Sequence, residues 1–565
     1  MISRSDALAA LTEDRFDVVV VGGGITGAGV ALDAASRGYS VAILERTDWA
    51  VGTSSRSSKM VHGGLRYLQN FDLGLVREAL LERQLMVQLA PHLVYPTPYL
   101  VPTLGDERPD RRLGVGLNMY DVMSTTRVGR ARRDRRLRER EADFWAPEGH
   151  RTVSAEEVVE MLPALALREP KSAYLFFDCQ TDDVRLVLTV LGEAERFGAV
   201  CLAGAEVTNL LDDGGRATGV ACRDAESGET FEVAADNVVN ATGVWADRLR
   251  PHEILEETEV PRIAPSRGTH VTLPLERLPL NDAACIVPAG EGRTVFALPW
   301  YGRVLIGTTD RDYDGDIEHV PPSDDDIDYL LSAVNDFFAA DLEPADLTGA
   351  YAGVRPLIST GDPKKSVDIS RKAELYETSS GMLTITGGKL TTWRRMAKQT
   401  VDRLVERDGR EAPCRTAEIQ LGMAARDEDL ELPGGVDGEK LPAGALDQLA
   451  FRYGHAARNV LAVCGERPEL AAPITDDRPD LLAEAVIAAR DEQARSVGDV
   501  LLRRTRLGIL AAPQLRGADS VRRVAEALAG ELGWSKSRIK REAERWPEEM
   551  AAEGIDPAAR VTSSA

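Results

Sequence analysis

The 565-residue chain carries 68 Lys and Arg against 91 Asp and Glu, a net charge of −23 that argues against general nucleic-acid binding and points to an acid-rich surface. Its length predicts two or three domains with ample core for a globular enzyme. Six scattered cysteines contain no C-x-x-C pair, so they indicate neither an iron–sulfur centre nor a zinc site and read as reduced, buried thiols.

The N-terminal segment holds Arg4, Asp6, Glu13, Asp14 and Arg15 and lacks the apolar core of a signal peptide. The uncharged stretch Val18 to Leu32 is shorter than the about 20 apolar residues a bilayer span needs. A cytoplasmic protein is therefore expected. Residues 16–45 read as strand, turn, helix, strand. The turn is Gly22-Gly23-Gly24-Ile25-Thr26-Gly27, and Glu45 ends the next apolar run. In this G-x-G-x-x-G spacing Gly22 permits a tight turn, Gly24 lets a pyrophosphate approach the helix amides, and Gly27 lets helix and strand pack closely. Glu45, 23 positions after Gly22, can accept from ribose hydroxyls and would repel a 2′-phosphate, which favours FAD or NAD over NADP.

A polar loop, Gly52 to Lys59, follows, and then the segment Ser57 to Leu68 (SSKMVHGGLRYL). Its hydroxyls suit phosphate and ribityl oxygens, its glycines suit a flat ring, and His62 is a candidate general base. A helix is expected over about 73–89. The run Arg127 to Glu141 holds eight Arg against three acids, a local basic excess within an acidic chain. It reads either as a contact for an anionic lipid surface or as a solvated helix paired with acids elsewhere.

Strand patterns return at Ala199–Leu211, Ala217–Arg223, Thr230–Val233 and Asn237–Thr242, the last ending in Gly243. Between Pro265 and Asp310 the pattern suits an antiparallel sheet carrying a substrate, with His270 as a rival base to His62. Trp245 reads as core packing. Gly353-Val354-Arg355-Pro356-Leu357, Arg371 and Thr386-Gly387-Gly388-Lys389-Leu390-Thr391-Thr392 complete the chemistry-bearing segments. From about Ala412 helical periodicity takes over, read as a separate domain.

In this order the glycine turn with Glu45, SSKMVHGGLRYL, NATGVWAD, GVRPL and TGGKLTTWR resemble the FAD-dependent glycerol-3-phosphate dehydrogenases, members of the amino-acid-oxidase-like flavoproteins. Phe451-Arg452-Tyr453-Gly454 and the run Asp499 to Arg506 extend the resemblance into the tail, so it covers most of residues 16–540. It implies a Rossmann-like FAD-binding domain (16–75, 170–250 and 345–405) interleaved with an antiparallel-sheet substrate domain (76–169 and 251–344), plus a C-terminal helical domain (412–550). It also implies oxidation of sn-glycerol 3-phosphate to dihydroxyacetone phosphate, with hydride transfer to flavin N5 and electrons passed to a membrane quinone.

FAD contacts are expected from Gly22, Gly24, Ile25, Thr26, Gly27, Glu45, Thr53, Ser54, Ser55, Ser58, Lys59, His62, Gly63, Gly64, Val207, Ala241, Thr242, Gly243, Gly388, Lys389, Leu390 and Thr391. Arg355, Arg371 and Lys389 resemble the family's phosphate-binding set, with Arg66 and Tyr67 near the substrate, and His62, His270 and Arg355 are the candidate catalytic residues. No metal is expected. The expected partners are the substrate, the quinone, an anionic membrane at the inner face of the cell membrane, and a second copy of the chain. The alternatives are an oxidase that reduces oxygen to peroxide, a non-catalytic flavoprotein sensor or interaction module, and an amine or amino-acid oxidase.

Overall fold

A computed structural model describes residues 3–65, 72–105, 110–125, 149–249, 262–290, 292–359 and 373–559. Arg66, Tyr67, Arg371 and the arginine cluster at 127–140 lie outside the described residues. Two sheets and a C-terminal set of helices carry the chain.

The first sheet is centred on Arg15–Val21, whose Val18 to Val21 are buried on both faces, as a parallel sheet covered by helices requires. Val41–Glu45 and Thr230–Asn240 flank it in parallel, Val200–Ala203 extends one side, and Leu383–Gly387 extends the other. Helix Ile25–Ser36 packs between this sheet and helices Asp183–Arg196 and Trp393–Asp408. Its small residues permit that closeness: a Cβ at Gly29 would meet the Trp393 ring at 2.6 Å. The strand expected over 199–211 is two strands, Val200–Ala203 and Ala205–Asp213, parted at Gly204, whose left-handed φ of +72° interrupts the extended chain.

In the second sheet, Arg262–Pro274 pairs along its length with Gly349–Ser359 on one side and with Arg303–Gly307 on the other. Tyr95–Thr103, Ser172–Gln180 and Met60–Val61 continue this sheet. Three segments assigned from sequence to the FAD domain, Met60–Val61, Ser172–Gln180 and Gly349–Ser359, thus belong to the second sheet. Alternation along a strand reports which faces are buried and says nothing about which sheet supplies the neighbour.

The C-terminal helices include Leu482–Glu492 and Ala518–Leu532, where helical periodicity predicts helices over 481–494 and 519–532. They are not set apart from the sheets. Trp300, Phe176 and Tyr99 share one apolar cluster with Val486, Leu528 and Trp546. Backbone bonds from Ala512 N to Thr348 O (2.8 Å) and from Ala350 N to Ile555 O (2.9 Å) stitch the interface. Buried Asp48 accepts from Arg503 and Arg504. Burial alone would raise its pKa, and the two guanidinium charges outweigh that and hold the carboxyl below its ordinary range.

Candidate active site

A cavity of about 470 Å³ opens where the carboxyl ends of the first sheet meet the second sheet. Gly22 turns the chain with φ +109°, and a Cβ there would lie 2.7 Å from Ala241 O. Gly27 faces away from the cavity, and its Cβ would stand 1.9 Å from Gly22 O, so the third glycine sets helix–strand packing, as its spacing implies. Gly24, Ile25 and Thr26 present the helix N-terminus to the cavity, with Ser54 Oγ accepting from Ile25 N at 3.0 Å. Glu45 accepts from Gly23 N (2.8 Å) and Thr47 N (3.0 Å), fixing the turn from beneath, while burial pushes its carboxyl up against those bonds.

The distant segments close the same cavity. Asn240 Oδ1 accepts from Thr242 N and Oγ1, shaping the turn into Gly243, whose carbonyl accepts from Thr386 Oγ1 at 3.2 Å. Gly387 and Gly388 are both left-handed and carry the chain to Lys389, Leu390 and Thr391 on the wall. Ala241, Thr242 and Val207 line it too. These features fit FAD: a helix N-terminus behind a glycine turn for the pyrophosphate, a carboxylate after the second strand for ribose, and glycines where a flat ring would lie.

His62 is half-buried on the cavity wall. Thr391 Oγ1 accepts from its amide at 3.2 Å and lies 3.3 Å from its carbonyl, so one threonine clamps the His62 backbone. Asp178, held by Arg83 and Tyr120, accepts from Gly63 N at 3.0 Å on the other side. Arg355 sits opposite Ser266 on the second sheet. Its guanidinium reaches Asp310 (3.1 Å), Thr308 Oγ1 (3.2 Å) and Thr309 O (3.1 Å). Gly268 makes room for it, since a Cβ there would meet Arg355 Nη2 at 2.6 Å. Arg355 and Lys389 line the same cavity as His62.

His270 also lines the cavity, but its surroundings differ. Its Nε2 lies 2.8 Å from Ser58 Oγ and its ring stacks on Tyr351 at 4.8 Å. Burial, then the charges of Lys59 and Arg355, push its pKa well below 6.5, so it is a neutral imidazole at physiological pH and a weak base. Below pH 6.5 the unfolded chain takes up a proton that the folded one refuses, so folding loses stability from this group as the pH falls. His270→Gln should therefore lose less stability than the parent between pH 6.5 and pH 5. Denaturant midpoints at the two pH values test this, and equal losses in both proteins would contradict it.

Several expected cofactor contacts point elsewhere. Lys59 is fully buried behind the wall, with Nζ donating to Ser55 O (2.6 Å) and Asp183 (2.7 Å). Its left-handed backbone, φ +58°, breaks the alternation that would have aimed it at a ligand. Ser55 turns its hydroxyl back to the carbonyls of Val51 and Gly52. Gly63 faces Leu80 and Tyr120, and Gly64 is a buried left-handed turn beside it. Conversely, Trp245 is not core: it is half-buried on the cavity wall, under the Arg46 guanidinium and against Gly52. Arg56, which sequence reasoning passed over, also lines the cavity and pairs with Glu553 of the last helix at 2.9 Å. Only the fold brings that helix there.

Residues 17–394 match the FAD dependent oxidoreductase family model, and residues 382–539 match the C-terminal domain of alpha-glycerophosphate oxidase. Glycerol-3-phosphate dehydrogenase 2 of Mycobacterium tuberculosis is 38% identical over 563 residues, covering 98% of this chain and 91% of its own. A mitochondrial glycerol-3-phosphate dehydrogenase of Arabidopsis thaliana is 34% identical, covering 96% of this chain and 87% of its own. Among solved structures, the glycerol-3-phosphate dehydrogenase of Bacillus halodurans complexed with FAD superposes with a TM-score of 0.73 at 27% identity, covering 98% of each chain.

Proposed function

The chain belongs to the family of FAD-dependent glycerol-3-phosphate dehydrogenases, and from that premise we propose that it oxidises sn-glycerol 3-phosphate to dihydroxyacetone phosphate. The observation that carries this reading is that His62, Arg355 and Lys389 share one cavity with the glycine turn. Bound FAD would supply the redox chemistry, taking the C2 hydride at flavin N5 and passing the electrons to a quinone.

The chain's own residues do the rest. Arg355 offers a planar fork, oriented by Asp310, Thr308 and Thr309, to the phosphate, and Lys389 adds a compact charge. A substrate phosphate carrying nearly two negative charges needs both cations in a partly dry cavity. His62, held at its backbone by Thr391, takes the hydroxyl proton as the hydride leaves. His270, neutral and bound to Ser58, shapes the wall beside it.

Helix Arg111–Thr125 supports contact with a membrane that holds the quinone. Its exposed side presents Val115, Met119 and Val122 together with Arg111, Arg112 and Asn118, with no acid on it, in a chain of net charge −23. Among the described residues no helix is long and apolar enough to cross a membrane, so this reading is of surface attachment.

A second reading, an oxidase that uses oxygen, is favoured by the oxidase name of the domain matched at 382–539. The experiment supplies glycerol 3-phosphate in air with anionic vesicles containing quinone. Quinone reduction with little peroxide is expected. The triple change Val115→Glu, Met119→Glu, Val122→Glu should release the protein from vesicles and spare activity with a soluble dye acceptor. Peroxide equal to product formed would overturn the quinone assignment, and unchanged vesicle binding would overturn the membrane face.

A further inference from the structure

Behind the cavity wall lies a buried cluster that the mechanism above does not use. Asp183, the first residue of helix Asp183–Arg196, is fully buried. Its Oδ2 accepts from Ser57 Oγ (2.7 Å), Ser57 N (3.2 Å) and Lys59 Nζ (2.7 Å). Its Oδ1 accepts from Arg506 Nη2 at 3.2 Å. The same nitrogen of Arg506 donates to Ser55 O at 2.8 Å, the carbonyl that also accepts from Lys59. Arg506 belongs to the C-terminal helical part, more than 300 residues away in sequence, and is 1% exposed.

Each group in this cluster leads to the cavity. Ser57 O accepts from Tyr351 OH at 2.7 Å, and the next residue, Ser58, holds His270 Nε2. The Lys59 ammonium lies 4.7 Å from the Tyr351 ring centre, and that ring stacks on His270. Loop 55–59 is therefore pinned from behind at three alternate residues, Ser55, Ser57 and Lys59, while its front, with Ser58, faces the cofactor cavity.

The backbone carries a second, independent sign. Lys59 (φ +58°) and Arg506 (φ +67°) are both left-handed without being glycine. Such conformations are strained for side-chain-bearing residues and gather where surrounding structure holds a functional geometry in place. Here two of them meet on one carbonyl and one carboxylate. A loop that needed only to be folded could be held with apolar packing, which avoids the desolvation of two cations and a carboxylate.

We propose that Arg506 and Asp183 are positioning residues of the redox site, through which the C-terminal helical part sets the Ser57–Ser58–Lys59 loop against the cofactor and His270. This rests on the reading of the cavity as the FAD site, and predicts that the helical part is needed for the flavin's environment as well as for folding. Loss of the Arg506 guanidinium would leave Ser55 O and Asp183 short of a donor and let the loop relax away from its cavity-facing geometry.

The test compares FAD-reconstituted wild-type protein with Arg506→Met, Arg506→Lys and Ser57→Ala. Arg506→Met is expected to keep wild-type FAD stoichiometry, to change the visible circular dichroism of the bound flavin, and to lower kcat by about ten- to a hundredfold while KM stays within about threefold. Arg506→Lys, still a cation able to reach one acceptor, should recover most of both signals. Ser57→Ala leaves the Lys59–Asp183–Arg506 ion cluster intact and should give a smaller change of the same kind, which keeps the claim testable if Arg506→Met fails to fold. A native flavin spectrum and native kcat in the FAD-loaded variants would overturn the proposal. So would a kcat loss that only follows the fraction of protein without FAD. A wild-type protein inactive on glycerol 3-phosphate would sink the proposed function and leave the spectral comparison to decide the role of Arg506.

Discussion

Arg355→Ala is expected to lower kcat/KM for glycerol 3-phosphate by about a hundred- to a thousandfold while FAD remains bound. The guanidinium is aimed by contacts to Asp310, Thr308 and Thr309, and Gly268 across the strand pair leaves the space it fills. A charge-assisted hydrogen bond to phosphate contributes about 1.5–3 kcal/mol, and a forked pair more than one such bond. The substitution also removes a cation from the cavity wall and leaves Asp310 without its Arg355 partner. The glycine turn, Glu45 and the Asn240-supported turn are untouched, which is why cofactor content should hold. Steady-state kinetics with flavin content measured on the same sample decide this. A variant with wild-type kcat/KM would show that Arg355 does not bind substrate, and a variant stripped of FAD would show that it serves the cofactor instead.

Gly27→Ala should remove FAD from the protein and lower its melting temperature. The added Cβ falls 1.9 Å from Gly22 O, and because that partner is backbone, helix Ile25–Ser36 must back away from the turn. Gly22 cannot yield, since its own position is fixed by Gly22 N donating to Leu44 O at 2.8 Å and by the Ala241 carbonyl beside it. Overpacking of this kind costs about 1–3 kcal/mol in ordinary cores and more against backbone. Gly24→Ala is the informative contrast. Its Cβ would meet only Ser54 Oγ, at 3.1 Å, the end of a side chain that can rotate, so folding should survive while the pyrophosphate loses its close approach. Bound FAD and thermal midpoints of the two variants check the pair. Native FAD content in Gly27→Ala would contradict the packing argument.

The glycine turn could be read directly because its physics is local: six residues, one reversal and one helix start. The same holds for the helix at Leu73–Leu89, whose bounds follow from apolar periodicity. In the later segments residue chemistry singled out His62 and His270 and resemblance supplied the phosphate set, and the fold then brings His62 and Thr391, 329 residues apart, into contact. What stayed hidden was direction and partnership. Lys59 is expected among the FAD contacts, yet it sits on a left-handed backbone and its ammonium is buried against Asp183. Trp245 reads as core because large aromatics usually are, and only the cavity shows its free face. Asp48 with Arg504 and Asp183 with Arg506 join residues hundreds of positions apart, and nothing in local spacing announces them.

The most direct test of the account is anaerobic mixing of the FAD-loaded protein with sn-glycerol 3-phosphate while the visible absorbance of the flavin is followed. The oxidised flavin band is expected to bleach, with dihydroxyacetone phosphate formed in equal amount, and to bleach much more slowly in Arg355→Ala. A flavin that stays oxidised with glycerol 3-phosphate, or that bleaches instead with glycine or sarcosine, would contradict it.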